Sequence, residues 1–275
     1  MPSTLLPDRA IVQLTGNEAR GFLQGLLTCN LDAVSPSQAA YGALLSPQGK
    51  ILTDFFLCET PDGALLFDLP ATQAADFVKR LTLYRLRAKI AITALADARV
   101  AAVWDEPAVA ATGPNVAFND PRHAGLGQRV LYLTQPEAGA GDGSIPADYD
   151  THRIRLGVPQ GGLDFPYGDT FPHDANLDLL HGLDFQKGCY VGQEVVSRVQ
   201  HRGSARKRIL PVRFLDGAGQ RGAPILADDR EIGTLGSVAG LLGLAMLRTD
   251  RLEEARAEGI ALRAGSQALV VDPLN

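Results

Sequence analysis

The eight residues Lys187-Gly188-Cys189-Tyr190-Val191-Gly192-Gln193-Glu194 gather a thiol, an ammonium, an amide and a carboxylate in one short stretch. Val195, Val196 and Val199 form an apolar stripe at helical spacing, so a helix is expected to begin near Gly192. A cation and a helix N-terminus both favour thiolate over thiol, which makes Cys189 the chain's candidate reactive cysteine. The dipole fades within a turn, so Lys187 is the stronger influence. Gly188 and Gly192 permit unusual backbone angles or close approach of a ligand. Glu194 and Arg198 form a well-oriented i,i+4 pair. The plain alternative for a lone cysteine is a small buried hydrophobe.

Asp54 is the second candidate. Alternation along Ile51–Cys58 puts Leu52, Asp54, Phe56 and Cys58 on one face, so a carboxylate shares a face with apolar side chains. Its plain alternative is a strand-end carboxylate satisfied by backbone donors. Val195–Leu215 carries six cations and no acid, and Phe77–Ala96 carries five and no acid. Either stretch could attract a polyanionic ligand, RNA or an acidic partner. Either could equally be a solvated face whose long stems cover apolar surface. The first lacks the interleaved aromatics that stack single-stranded bases. The five His show no ligand spacing, so no metal site is expected. Cys29, Cys58 and Trp104 read as core.

The remainder narrows the field by exclusion. The 275 residues carry a formal net charge of −5, so there is no global nucleic-acid signature. The longest apolar run, Val238–Leu247, is short of the roughly 20 residues that span a bilayer, and no membrane association is expected. Three cysteines, odd in number and without a CxxC pair, suggest a reducing setting and a cytoplasmic protein. They also fall short of the four thiolates of a Cys-only iron–sulfur cluster. No HExxH, GxSxG or GxGxxG occurs, and Gly42–Ile51 lacks the phosphate-loop spacing.

These candidates must be positioned by an α+β scaffold. Ile11–Leu14 reads as a strand, and Thr15-x-x-Glu18 has capping-box form before the stripe Ala19, Phe22, Leu23, Leu26 and Leu27. Tyr41–Leu45 and Ile51–Cys58 are strands joined by the turn Ser46-Pro47-Gln48-Gly49. A strand at Ala64–Asp68, a helix through Phe77 and Leu81, and strands near Ile90–Leu95, Val100–Trp104 and Arg129–Leu133 follow. Glu137–Pro146 reads as an exposed loop. A short helix holding Tyr149, Arg153 and Arg155 precedes a Gly/Pro-rich loop over Pro159–Pro172. From Lys207 onward, short strands spaced by Gly suggest a small barrel, with a boundary near 203–207.

The octapeptide resembles the signature of the YgfZ family of folate-binding proteins, which is similar in fold to the aminomethyltransferase (T-protein) of the glycine cleavage system. The resemblance extends to Leu14–Gly25, to Leu45–Lys50 into Asp54, to Tyr149 through Pro159, Pro172 and Asn176-Leu177, and to Ile232-Gly233 and Leu244-Ala245. His152–Pro159 resembles the branch that includes the mitochondrial iron–sulfur assembly relatives. The resemblance implies an α+β, three-lobed body. Two interleaved ferredoxin-like lobes would form a folate-binding region over 1–203, the second lobe spanning roughly 46–125. A C-terminal β-barrel would occupy 204–275. It further implies a tetrahydrofolate-binding protein that assists assembly or repair of iron–sulfur clusters in client enzymes, tRNA-modifying ones included. Lys187 and Cys189 would be catalytic. Asp54, Tyr149, Arg155, Tyr190, Gln193 and Glu194 would hold the folate.

The chain departs from the T-protein at several of these places. Its paired Asp-Asp is met by Thr53-Asp54, which argues against the alternative of aminomethyl transfer. Its pterin-facing glutamate is met by Arg155, a donor-only group that could pair with the glutamate tail of folate or with another side chain. Relatives place aromatic pocket walls where Arg9 and Tyr149 stand. An RNA- or partner-binding module using Arg198–Arg213 is the third reading.

Overall fold

The apolar strands marked in the sequence pair into two antiparallel sheets and a closed barrel. The computed structural model describes residues 2–105, 113–136, 143–203 and 205–274. The chain opens with β1 (Ser3–Leu5), β2 (Arg9–Thr15) and the short helix α1 (Ala19–Gln24). Then come β3 (Ala40–Leu45), β4 (Ile51–Glu59), β5 (Leu65–Pro70), α2 (Ala71–Arg85) and β6 (Ala91–Leu95). Next are β7 (Arg99–Val103), β8 (Val116–Asn119), β9 (Gln128–Tyr132) and α3 (Pro146–Arg155). Irregular chain leads to α4 (Gln193–Arg202). The C-terminal part holds β10 (Lys207–Phe214), β11 (Pro224–Ala227), β12 (Arg230–Ala239), β13 (Leu242–Arg248), α5 (Thr249–Glu258), β14 (Leu262–Ala264) and β15 (Gln267–Val271). Most of the Glu137–Pro146 segment lies outside the described residues.

One sheet has the order β3-β4-β5-β2-β6 and the other β1-β7-β9-β8. Their division differs from the expected second lobe over 46–125. Residues 9–95 build the first sheet, and β1, which precedes that stretch, pairs with β7 of the second. Alternation identifies strands but not their partners. The barrel closes in the order β10-β13-β12-β11-β14-β15, so it has no free edge. The apolar core falls into a layer between the two sheets, a layer beneath α1 and α2, and the barrel interior.

Two local expectations fail for identifiable reasons. The capping box does not form: Glu18 accepts from the backbone N–H of Lys89, while Thr15 belongs to β2. The four-residue face of β4 is broken by a bulge, since Leu44 pairs with Thr53 but Leu45 pairs with Ile51. Leu52 therefore turns to the layer beneath the helices, while Ile51 joins Phe56 and Cys58 between the sheets.

Three consecutive residues tie the N-terminal sheet to the segment carrying the octapeptide. Thr28 Oγ1 donates to Gly182 O at 2.6 Å and accepts from Ala43 N at 2.8 Å. Asp184 N donates to Thr28 O at 3.0 Å. Lys187 Nζ donates to Leu27 O and Cys29 O at 2.5 and 2.7 Å. Thr28→Val keeps the shape and leaves Ala43 N–H and Gly182 C=O without partners. We expect a loss of roughly 1–3 kcal/mol in urea unfolding. A loss well below that would show the tie to be slack.

Candidate functional site

Charged side chains inside apolar strands meet at a cavity of about 270 Å³ between the two sheets. Asp68, in the apolar run of β5, is shared. Its Oδ1 accepts from Arg9 Nε at 2.6 Å and its Oδ2 from Arg129 Nη1 at 2.9 Å. Asp120 pairs with Arg122 at 2.8 Å and Arg129 at 3.4 Å. All three guanidinium groups lie over the Phe56 ring, 4.1–5.6 Å from its centre. Arg122 and Arg129 also donate to Tyr149 Oη, each at 3.3 Å. Burial alone would raise the Asp120 pKa, but the Arg122 and Arg129 charges outweigh it and hold the carboxyl below its ordinary value. Burial works against the two charged arginines as well, yet their partners leave both pKa values raised.

Asp54 lines this cavity and is 4% exposed. Its Oδ2 accepts from Tyr41 Oη at 2.8 Å and its Oδ1 from Tyr167 Oη. Side-chain hydroxyls, not backbone groups, satisfy it. Burial and the neighbouring Asp54 charge push both phenols well above their ordinary value, so both stay protonated donors. Tyr167 comes from the Pro159–Pro172 segment, which Ile51 clamps through backbone bonds to Thr170 and Gly168. Gly161 makes room for it, since a Cβ there would overlap the Tyr167 hydroxyl.

Helix α3 sorts the other candidates. Tyr149 is buried and faces the cavity. Arg155 is exposed, so it is not a wall of this cavity. Arg153 is the buried cation, paired with Asp164 at 2.9 Å and Asp150 at 2.6 Å and donating to Ser237 at 2.8 Å. Helical geometry explains the difference: position 153 is four residues from Tyr149 and shares its face, while position 155 turns away. Arg122, Arg129, Asp68, Asp120 and Tyr167 are not among the site candidates that the sequence offers. The signal available for Asp68 was that of Asp54, a lone charge inside an apolar strand.

The octapeptide forms a separate, exposed locus. Cys189 is exposed, whereas Cys29 and Cys58 are buried. Burial pushes the Cys29 thiol up to about 12. The ammonium expected beside Cys189 is engaged elsewhere, on the Leu27 and Cys29 carbonyls. Burial lowers the Lys187 pKa against the influence of Cys29 and Asp184. Tyr190 is half-buried, with Lys187 Nζ 5.3 Å from its ring centre, and burial raises its phenol to about 12. Gln193 Oε1 accepts from Tyr190 N at 2.9 Å and pins the loop at the start of α4. Glu194 is exposed and pairs with Arg198 at 2.8 Å. Gly192 has φ +83°, and a Cβ there would sit 2.6 Å from Ser46 O. The β3–β4 turn thus packs against the backbone at the start of α4, bringing two distant sequence motifs together. Tyr190, Gln193 and Glu194 do not line the Asp54 cavity.

The two basic stretches fare differently. In the first, Arg208 forms a bidentate pair with Asp178, and Arg213 pairs with Asp272. The side chain of Arg202 lies outside the described residues. Acids distant in sequence thus offset much of that run. Among the described residues, no group of three or more His, Cys, Asp or Glu is placed to hold a metal. No helix is long and apolar enough to cross a membrane.

Comparison with known proteins gives consistent results. Residues 206–273 match the model of the CAF17 C-terminal β-barrel domain. The chain is 32% identical to the human mitochondrial iron–sulfur cluster assembly factor IBA57, over 90% of this chain and 78% of that protein. It is 35% identical to the Mycosarcoma maydis homologue, over 76% of this chain but only 56% of the relative. Its fold is that of the glycine cleavage system aminomethyltransferase T from Bartonella henselae, with TM-score 0.76 at 16% identity, covering 99% of this chain and 85% of that one. The relatives are named as mitochondrial, which overturns the cytoplasmic expectation. Unpaired cysteines mark a reducing setting and do not single out a compartment.

The depressed Asp120 pKa fixes the sign of a pH effect. Its ion pairs stabilise the fold fully above the unfolded carboxyl value of about 3.9, and that stability is lost as pH falls through the folded value. Wild-type stability should therefore fall more steeply below about pH 4 than that of Asp120→Asn, by denaturant titration across pH. Parallel profiles would contradict the pairing.

Proposed function

The chain belongs to the IBA57 family of iron–sulfur cluster assembly factors, and from that premise we propose that it assists assembly or repair of iron–sulfur clusters in client enzymes through a folate-binding cavity and an exposed thiol. In this reading the Asp54 cavity takes the pterin head of a reduced folate, and Cys189 works at the surface on a sulfur- or cluster-bearing partner. Clients include tRNA-modifying enzymes, as the family resemblance implies.

The donor set is compatible with a pterin. Tyr149 offers an aromatic wall. Asp54 and Asp150 offer carboxylates for an amino and ring N–H edge, and Gln160 adds an amide. At about 270 Å³ the cavity lies just below the roughly 300–1,000 Å³ of ordinary ligand pockets. It therefore suits a ring system, with the rest of the folate leaving through the mouth past Asp8 and Asp150. A bound folate would supply one-carbon chemistry. The chain's own residues orient it: Tyr41 and Tyr167 fix the Asp54 carboxylate, and Arg122 and Arg129 fix Tyr149.

The observation that carries the surface half is the exposure of Cys189 on a loop held from Leu27, Thr28 and Cys29. Lys187 holds this loop in place. We expect Cys189→Ser to melt with the wild type yet lose most client activity, read as [4Fe–4S] enzyme activity in cells lacking the native factor. Full activity of Cys189→Ser would remove the thiol from the account. An equal loss in Lys187→Met, accompanied by a lower melting temperature, is expected of a loop-positioning residue.

A further inference from the structure

The C-terminal end of α2 presents two leucines to water. Leu83 is 67% exposed and Leu86 is 88% exposed, the largest exposures among the protruding apolar side chains. Leu86 also holds φ +47° and ψ −103°, a left-handed backbone that favours glycine, at the position that terminates the helix. Leucine there adopts a costly backbone conformation while its side chain is left to solvent.

Cations outnumber acids around these leucines, where the carboxylates of Asp76 and Glu18 are engaged by Arg80 and by the backbone N–H of Lys89. Phe77–Ala96 contains five cations and no acid in a chain of net charge −5. Arg80 is paired with Asp76, and Arg85 donates to Ile90 O. Lys79, Arg87 and Lys89 are exposed, and no ion pair engages them among the described residues. Lys79 and Leu83 are four residues apart and share a helix face, and Leu86 and Arg87 come directly after the helix ends at Arg85. The outer side of α2 thus ends in two exposed leucines, with the exposed cations Lys79, Arg87 and Lys89 close by in sequence, while its inner side, through Phe77 and Leu81, is buried on the five-stranded sheet.

We propose that this end of α2 docks the protein on an anionic lipid bilayer. The leucines would enter the headgroup–acyl boundary, and Lys79, Arg87 and Lys89 would meet the lipid phosphates, their stems snorkelling upward. Charge complementarity selects an anionic surface. Two projecting leucines on a helix end suit a fluid interface, whereas a folded protein partner would need a matching pair of sockets. The inference is independent of the folate and cluster reading, because the patch shares no residue with the Asp54 cavity or the Cys189 loop.

The test is co-sedimentation of the full chain with phosphatidylcholine vesicles, alone or mixed with phosphatidylglycerol, at low and high salt. Binding is expected only to the mixed vesicles and should weaken with salt. Each of Lys79→Gln, Arg87→Gln and Lys89→Gln should weaken it about fivefold. Leu83→Ser should weaken it about tenfold or more. Leu86→Gly should do the same while melting no lower than wild type, because glycine suits that backbone, which separates docking from folding. Failure to bind mixed vesicles overturns the proposal, as does binding unchanged in the leucine variants. Retention on immobilised polyglutamate without vesicle binding also overturns it, in favour of an acidic protein partner.

Discussion

One carboxylate joins the two sheets. Asp68 stands on β5 of the five-stranded sheet and takes Arg9 from β2 of the same sheet and Arg129 from β9 of the other. Its side chain is fully buried, where an unpaired charge would be strongly destabilising. Removing one partner of such a group typically costs about 3–5 kcal/mol, because the remaining charges stay buried. The sheets are therefore held at a separation and angle that keep three arginines over Phe56. Asp68 and Asp120 pair with Arg9, Arg122 and Arg129, and Tyr41 and Tyr167 hold Asp54, so the charged groups around the cavity are fixed by their partners. Such a wall is preorganised to receive a polar ring without rearranging.

The functional picture separates into a cavity and a surface loop. The cavity departs from the T-protein pattern through Thr53, which is buried and donates to the backbone carbonyl of its neighbour Asp54. Of these two positions only Asp54 lines the cavity. The loop is fixed instead by Leu27, Thr28 and Cys29, whose carbonyls and hydroxyl take its donors and acceptors. Lys187 thus belongs to the architecture of the loop, and Cys189 is its exposed thiol.

Much of this was legible in the sequence. The alternation of β2 to β5, the apolar stripe of α2 and the Gly-spaced barrel strands follow from periodicity, and Asp54 stood out as a charge among apolar neighbours. Other features had no one-dimensional signature. The bulge at Leu52 turns one side chain over, and no propensity announces it. The motif position singles out Arg155, whereas the helical face of Tyr149 points to Arg153. The pairing of β1 with β7, and of Arg208 with Asp178, depends on contacts distant in sequence. The search for an apolar run of membrane-spanning length tests for spanning alone and is blind to two leucines at a helix end.

In the proposed function the Asp54 cavity, and not the Cys189 loop, receives a folate. Calorimetric titration of 5-formyl-tetrahydrofolate into wild type, Asp54→Asn and Cys189→Ser tests it most directly. The account predicts saturable binding in wild type, the same affinity in Cys189→Ser, and a loss of about tenfold or more in Asp54→Asn, the size expected when a charged hydrogen-bond acceptor is removed. Absence of binding to wild type at millimolar ligand, or an equal loss in Cys189→Ser, would contradict it.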